Sequence, residues 1–389
     1  MKSKNKYACY LLIALAASAV LLNCSKDENG KPFVSYVRVT NPEAADSLVT
    51  TAGQGQMIAI MGGNLQSTDQ VWFNDQKSIL IPTFITSSSI IVRVPSQIPS
   101  EITNKLKLVF ANGESLLYDF SVDISKPLID HVRSEYENEG DSLFIYGNYF
   151  YAPLTVTFAG GAHGDIISVA SDAQSMVVKV PAGTQPGPIT ISTNFGEKIS
   201  GFWFADNRNI ISSFDIPLVN GMWHVNDVVS SDSNIPNISG KFLRVNKGKL
   251  GAWPYLEVYE GTQGSDLSVE TKNIPEEAFV NPGNFSLKFE MNTLESVAGA
   301  NMRLYLGDDN GCCGGDFGTA RNNSYYVWAP NLNTNGNWVT VTIPWSDIFS
   351  ANNQFAYNSS GYGMAIYFHG PNSAFYNFGI DNIRVVPNK

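Results

Sequence analysis

Few side chains in this sequence are suited to covalent chemistry, but its aromatic residues stand in contexts that suit binding. Trp223 lies in Asn220-Gly221-Met222-Trp223-His224, and Trp253 and Tyr255 lie in Gly251-Ala252-Trp253-Pro254-Tyr255. Rings set among Gly, Pro and polar residues read as loop or strand-end positions that reach solvent. A pyranose has apolar C–H faces and a rim of hydroxyls. Its faces stack on Trp or Tyr, and its rim takes hydrogen bonds from Asn, Gln, Asp or Arg. Trp223, Trp253 and Tyr255 are therefore candidates for contact with a neutral sugar chain. A second cluster, Tyr325-Tyr326-Val327-Trp328, follows Arg321-Asn322-Asn323. Strand alternation sends Tyr326 and Trp328 to one face and Tyr325 to the other, with one of those faces buried. Tyr326 and Trp328 are taken as the ligand-facing pair. Trp338 and Trp345 bracket the alternating run 339–344 and read as structural, while His369 reads as part of a capped turn before Gly370-Pro371-Asn372.

Catalysis finds little support. A glycosidase needs two carboxyl groups about 5–9.5 Å apart, one of them raised in pKa by its surroundings. Glu257-Val258-Tyr259-Glu260 comes nearest to a strand of inward-facing acids, yet it lacks a central Asp and runs into Gly261. His163 and His224 are isolated, no His has metal-ligand spacing, and no Gly-x-Ser-x-Gly elbow occurs. The loop Asp308-Asp309-Asn310-Gly311-Cys312-Cys313-Gly314-Gly315-Asp316 has acids that could hold calcium, but not the alternating ligands and distal Glu of an EF-hand. Its adjacent cysteines could form a strained disulfide; the preferred reading is a mobile Gly-rich hairpin tip. The expectation is a binding protein without metal or cofactor. A jelly-roll glycoside hydrolase and a protein-binding surface adhesin are the alternatives.

Those residues need a scaffold, and composition limits its type. The chain has 389 residues, 43% of them apolar and only 15% charged, which excludes disorder and allows two or three domains. Its 33 Gly and 19 Pro, set among β-branched and aromatic residues, predict an all-β protein with tight turns. The formal charge is −10, and becomes −13 without residues 1–23, which contain Lys2, Lys4 and Lys6. So acidic a surface repels phosphate backbones and anionic lipid headgroups, and nucleic acid is not an expected partner.

Lys2, Lys4 and Lys6 precede an apolar stretch over residues 8–22. It is short for a membrane span, which needs about 20 residues, and fits a signal-peptide core. It ends at Leu21-Leu22-Asn23-Cys24, which resembles a bacterial lipobox, with Asn23 in place of the usual small residue. That resemblance implies acylation of Cys24. The following Ser25-Lys26-Asp27-Glu28 resembles the surface-export tract of Bacteroidetes lipoproteins, and implies the outer leaflet of the cell outer membrane. With Cys9 and Cys24 at the N-terminus, only Cys312 and Cys313 remain, so no long-range disulfide framework is available and packed sheets must supply stability.

An internal repeat organises residues 33–205. Gly62-Gly63-Asn64-Leu65 answers to Gly147-Asn148-Tyr149-Phe150, Val92-Arg93-Val94-Pro95 to Val178-Lys179-Val180-Pro181, and Asn112-Gly113-Glu114 to Asn194-Phe195-Gly196-Glu197. The offset of about 85 residues is one small β-sandwich. Glycine is expected at the strand ends for positive φ, and proline to stop a ladder. The copies resemble IPT/TIG domains, immunoglobulin-like sandwiches that often act as spacers. Trp72 and Trp203, flanked by apolar residues, read as core.

Residues 206–389 carry five of the seven Trp, and their strand-like runs read as a larger jelly-roll sandwich. Phe214-Asp215 and Ile380-Asp381-Asn382-Ile383 resemble segments of carbohydrate-binding modules of that fold. The organisation is then a signal peptide (1–23), an acidic linker (24–32), two IPT/TIG sandwiches (33–125 and 126–205) and a carbohydrate-binding β-sandwich (206–389). This order resembles the surface glycan-binding lipoproteins of Bacteroidetes polysaccharide-utilisation systems, particularly the group whose terminal domain binds xyloglucan and related β-glucans. The resemblance implies a non-catalytic protein that captures a neutral polysaccharide such as xyloglucan or mixed-linkage glucan. It also implies a TonB-dependent transporter and a second glycan-binding lipoprotein as partners.

Overall fold

The computed structural model describes residues 30–44, 46–216, 222–223, 228–254, 256–260, 271–307, 325–351, 356–359 and 363–388. Cys24, Tyr255, the Cys312-Cys313 loop and the side chain of Trp223 lie outside them. The chain divides into two compact units, residues 1–125 and 126–389. Regular structure is almost all strand in both.

In the first unit, strands Phe33–Val39, Met57–Gly63 and Ser89–Arg93 form an antiparallel sheet. A second sheet orders Gln76–Lys77, Thr68–Phe73, Lys105–Phe110 and Ser115–Asp119. Alternation builds the core: Ile58, Ile60, Ile90 and Val92 of one sheet meet Val71, Phe73, Leu106 and Leu108 of the other. Trp72 departs from the core position expected of it. Val71 and Phe73 take the inward places, and the period of two turns Trp72 outward, half-buried. Trp203 departs likewise: Phe202 and Phe204 are buried beside it, and the Arg208 guanidinium lies 3.9 Å from its ring centroid.

The second unit opens with the other repeat. Its strands Leu128–Val132, Ser142–Asn148, Ser175–Lys179, His163–Val169, Leu154–Thr157, Gly187–Thr193 and Gly196–Phe204 form one folded sheet around a core that includes Ile145, Val156, Val178 and Ile191. The repeated glycine has a different cause from the one the sequence suggests. A Cβ on Gly62 would stand 1.9 Å from the Phe33 carbonyl oxygen, and one on Gly147 2.0 Å from that of Leu128. Glycine is needed there because a neighbouring backbone approaches closely at a register shift. The positive φ falls two residues later, on Asn64 (56°) and Tyr149 (62°).

The rest of that unit is a sandwich of two antiparallel sheets. One orders Val228–Val229, Phe242–Leu250, Ala374–Pro387, Phe285–Thr293 and Trp338–Pro344, with Ile210–Ser212 also pairing to Ala374–Pro387. The other orders Met222–Trp223, Leu256–Glu260, Gly363–His369, Asn301–Gly307 and Tyr326–Trp328. Leu287, Phe289, Phe378 and Ile380 of the first meet Met302, Leu304, Ile366 and Phe368 of the second in one apolar cluster. Trp338 and Trp345 are buried, in line with the structural role expected of them, with indole N–H groups donating to the carbonyls of Pro236 (2.7 Å) and Ala278 (3.1 Å).

This sandwich is joined to the second repeat by buried charge. The Arg384 guanidinium, fully buried, donates to Glu290 at 2.7 and 3.0 Å within the sandwich and to Glu135 of the repeat at 2.6 Å. Lys288 also pairs with Glu135, and Thr340 donates to Glu290 at 3.0 Å while accepting the Glu135 backbone N–H at 2.7 Å. Burial works against a charge on Arg384, but the two carboxylates hold it ionised, well above its ordinary pKa. Tyr136 of the repeat packs with Ile235, Ile238, Phe242 and Trp338 beside this network.

Candidate functional site

The face of the five-stranded sheet that turns away from the core carries a group of rings, of which Trp253 is exposed, Tyr325 half-buried, and Tyr305 and Tyr367 buried. Register decides its membership. On Asn301–Gly307, Met302 and Leu304 point inward, so Asn301, Arg303 and Tyr305 point outward. Asn301 pairs with His369 and Arg303 with Tyr367, which places those residues in the same ranks. The edge strand adds Val327 opposite Arg303.

Trp253 overhangs this face from the connection before Leu256–Glu260. Its backbone is left-handed (φ 59°), its N–H donates to the Gly370 carbonyl at 2.7 Å, and 55% of the residue is exposed. The indole meets the His369 imidazole edge-on, with centroids 4.6 Å apart and planes at 78°. The Arg303 guanidinium lies 5.9 Å from the Trp253 ring and 5.0 Å from the Tyr325 ring. Tyr305 follows, 4.9 Å from both Tyr325 and Tyr367. The rings thus form a band from Trp253 to Tyr325 bridged by the Arg303 guanidinium, with Tyr305 and Tyr367 buried beneath it.

Arg303 Nε is buried and has no hydrogen-bond partner among the described residues. Burial first, and the Arg303 charge second, hold the His369 imidazole below its ordinary pKa, so it is neutral at pH 7. Rings to cover C–H faces, a guanidinium that only donates and a neutral imidazole suit a ligand rich in hydroxyl oxygens. Among the described side chains of this face there is no carboxylate, and among the described residues no cluster of His, Cys, Asp and Glu could hold a metal ion.

Of the residues singled out in the sequence, Trp253 is on this face. Trp223 pairs through its backbone with Glu257, but its side chain is outside the described residues, as is Tyr255. Tyr326 and Trp328 do not join the site. They pair with Leu304 and Met302, share those residues' inward phase, and pack against the core, Trp328 edge-on to Phe289 at 5.4 Å. The strand's other phase faces outward, and Tyr325 takes the place that Tyr326 and Trp328 were expected to fill. Arg303, Tyr305, Tyr367 and His369 were missed. The signal for Arg303 and Tyr305 was present, because Met302-Arg303-Leu304-Tyr305 alternates cleanly. His369 is no mere turn residue, since it buttresses the Trp253 ring.

Residues 204–387 match the family model described as the surface glycan-binding protein B xyloglucan binding domain, and residues 46–122 match the IPT/TIG domain model. A Bacteroides ovatus relative described as an IPT/TIG domain-containing protein is 30% identical over 146 residues, which is 36% of this chain and 30% of that relative's length. The crystal structure of surface glycan-binding protein PbSGBP-B from Prevotella bryantii is 27% identical, with a TM-score of 0.65, over 92% of this chain and 99% of that one. The SGBP-B structure from a complex xyloglucan utilization locus in Bacteroides uniformis, 18% identical over 92% and 100% with a TM-score of 0.50, shares the fold. The chain resembles the surface glycan-binding proteins of Bacteroidetes, and its fold is all-β with an IPT/TIG sandwich followed by a larger β-sandwich.

Proposed function

We propose that this chain is a non-catalytic surface glycan-binding lipoprotein that captures a neutral polysaccharide, xyloglucan foremost and mixed-linkage glucan next. The observation that carries the reading is the exposed Trp253 ring beside Arg303 and Tyr325, on the outer sheet face of the domain that matches a xyloglucan-binding model. Trp253 stacks on one sugar, Tyr325 offers a second ring further along the band, and Arg303 donates to hydroxyls between them. The reading is non-catalytic because the described side chains of the face are rings and a cation, which suit holding a sugar chain, while hydrolysis needs a carboxyl pair. The two repeats serve as spacers between a lipid on Cys24 and the binding sandwich, at the outer face of the outer membrane. A TonB-dependent transporter and a second glycan-binding lipoprotein are the partners that would receive the captured chain.

Affinity electrophoresis through gels containing neutral polysaccharides tests the reading. Xyloglucan should retard the protein, and the polysaccharide should keep its length after prolonged incubation. A protein that runs unretarded through every neutral glucan, or that shortens the chains, refutes it. In cells, Cys24→Ala should move the protein from the membrane fraction to the soluble fraction.

A further inference from the structure

A second ring is presented to solvent in the first unit, on the outer face of the sheet containing Thr68–Phe73. There the ranks read Lys77, Trp72, Lys107 and Leu117 across four neighbouring strands. Gln70 Oε1 accepts the Trp72 indole N–H at 2.9 Å, so the ring's one polar group is already satisfied and its orientation is set. Leu117 is 59% exposed at the far end of that rank. One side of the ring opens on a concavity of about 550 Å³, within the range of small-molecule sites.

A wall of that concavity is built rather than accidental. Asn74 Oδ1 accepts the backbone N–H groups of Thr103 (3.0 Å) and Asn104 (2.8 Å), and Asp75 Oδ2 accepts those of Ser100 (2.9 Å) and Glu101 (3.2 Å). Two consecutive side chains therefore hold segment 100–104 against the sheet. Although its slight burial opposes this, Asp75 is kept below the usual carboxylate pKa by the Gln76 side-chain amide first and by the Ser100 and Glu101 N–H groups next, in keeping with its place as a strut of the wall. The lining carries Lys105 and Lys107 against Asp75 and Glu101, so its formal charge cancels. An aromatic floor with a charge-balanced rim of ammonium, carboxylate and the Thr103 hydroxyl favours an uncharged, hydroxyl-rich ring over a phosphate, a uronate or a polycation.

We propose that the Trp72 concavity is a second, weaker saccharide site that engages another stretch of the same neutral polysaccharide. This rests on the glycan-binding reading of the terminal sandwich. A polysaccharide has many equivalent segments, so the first repeat adds avidity as well as length. When one site holds the polymer, the other meets it at high effective concentration. Short oligosaccharides gain nothing from this.

The test uses the full chain from residue 25, without lipid, in four forms: native, Trp72→Ala, Leu117→Arg and Trp253→Ala. Leu117→Arg obstructs the concavity from its exposed edge and leaves Trp72 in place. Expected are a loss of about tenfold in apparent affinity for polymeric xyloglucan in both first-unit variants, and unchanged calorimetric affinity for a xyloglucan oligosaccharide at the Trp253 face. Trp253→Ala should keep a weak retardation in xyloglucan gels that adding Trp72→Ala removes. Trp72→Ala and Leu117→Arg proteins that bind the polymer like the native chain overturn the second site while the terminal reading stands. If Trp253→Ala binds normally and the first-unit variants do not, the second site is upheld and the terminal reading falls. First-unit variants that bind glycan normally but lose association with another protein would assign the concavity to that protein and overturn the proposal.

Discussion

Replacing Trp253 by alanine separates a binding ring from a structural one. With 55% of the residue exposed, less than half of its surface is shielded by the fold, chiefly by His369. A fully buried Trp→Ala costs about 3–5 kcal/mol, so scaling by burial gives roughly 1–2 kcal/mol here. The left-handed backbone adds no difference, since Trp and Ala share the same Cβ restriction. For a domain of this size the melting temperature should then fall by about 2–8 °C. Binding should suffer more, because truncation of a central aromatic contact typically costs ≥ 2 kcal/mol, about thirtyfold at 1.4 kcal/mol per tenfold. Isothermal titration with a xyloglucan oligosaccharide and thermal melting of the same variant read the two quantities independently. Affinity should also change little with salt, since a neutral ligand neutralises no charge. A folded variant with unchanged affinity would refute the stacking role, and so would a collapse in melting temperature much beyond the range given.

Arg303→Ala should weaken oligosaccharide binding by about tenfold, with Arg303→Lys recovering only part of it, because the planar fork and not the charge alone addresses hydroxyls; titration calorimetry checks this. Arg384→Met should lower stability by about 3–5 kcal/mol, because Glu290 would remain buried without a cation and Glu135 would keep only Lys288; denaturant unfolding measures it. Burial, reinforced by the Glu290 charge, pushes Asp381 up from its ordinary 3.8 to about 9, so it is protonated in the folded state at neutral pH but ionised in the unfolded chain above pH 3.8. The folded state therefore binds the extra proton, and stability should fall as pH rises from about 4 towards 9. Asp381→Asn should flatten that slope, raising the melting temperature at pH 8 and changing it little at pH 4; melting curves across pH decide it.

The all-β fold, with an IPT/TIG sandwich and a larger β-sandwich after it, could be read from the chain because it rests on local signals. The recurring Gly-x pattern and Pro-ended strands mark each repeat, and the concentration of aromatics marks the last module. What stayed hidden was the phase of strands whose consecutive residues are all apolar or aromatic. Val71-Trp72-Phe73 and Phe202-Trp203-Phe204 give no hint which residues turn outward, and the answer comes from the sheet packed below. Tyr326 and Trp328 failed for the same reason, since only their pairing with Leu304 and Met302 fixes their direction. The Trp253–His369 contact joins residues more than a hundred positions apart, so no local pattern could announce it. Gly62 and Gly147 were legible as necessary, but the reason lies in the carbonyls of Phe33 and Leu128 across the register shift.

The strand Ala374–Pro387 pairs with Ile210–Ser212, Phe242–Leu250 and Phe285–Thr293, and is buried along almost all of its length. It is also the last strand of the sandwich to be synthesised. A chain emerging N-terminus first can complete both repeats while the sandwich still lacks the ladder that joins its earlier strands. The sheet that backs the Trp253 face is thus completed only when this strand is in place. A nonsense change before residue 374 would remove the strand to which three others of the sandwich pair, and should leave the repeats folded while the terminal module is not.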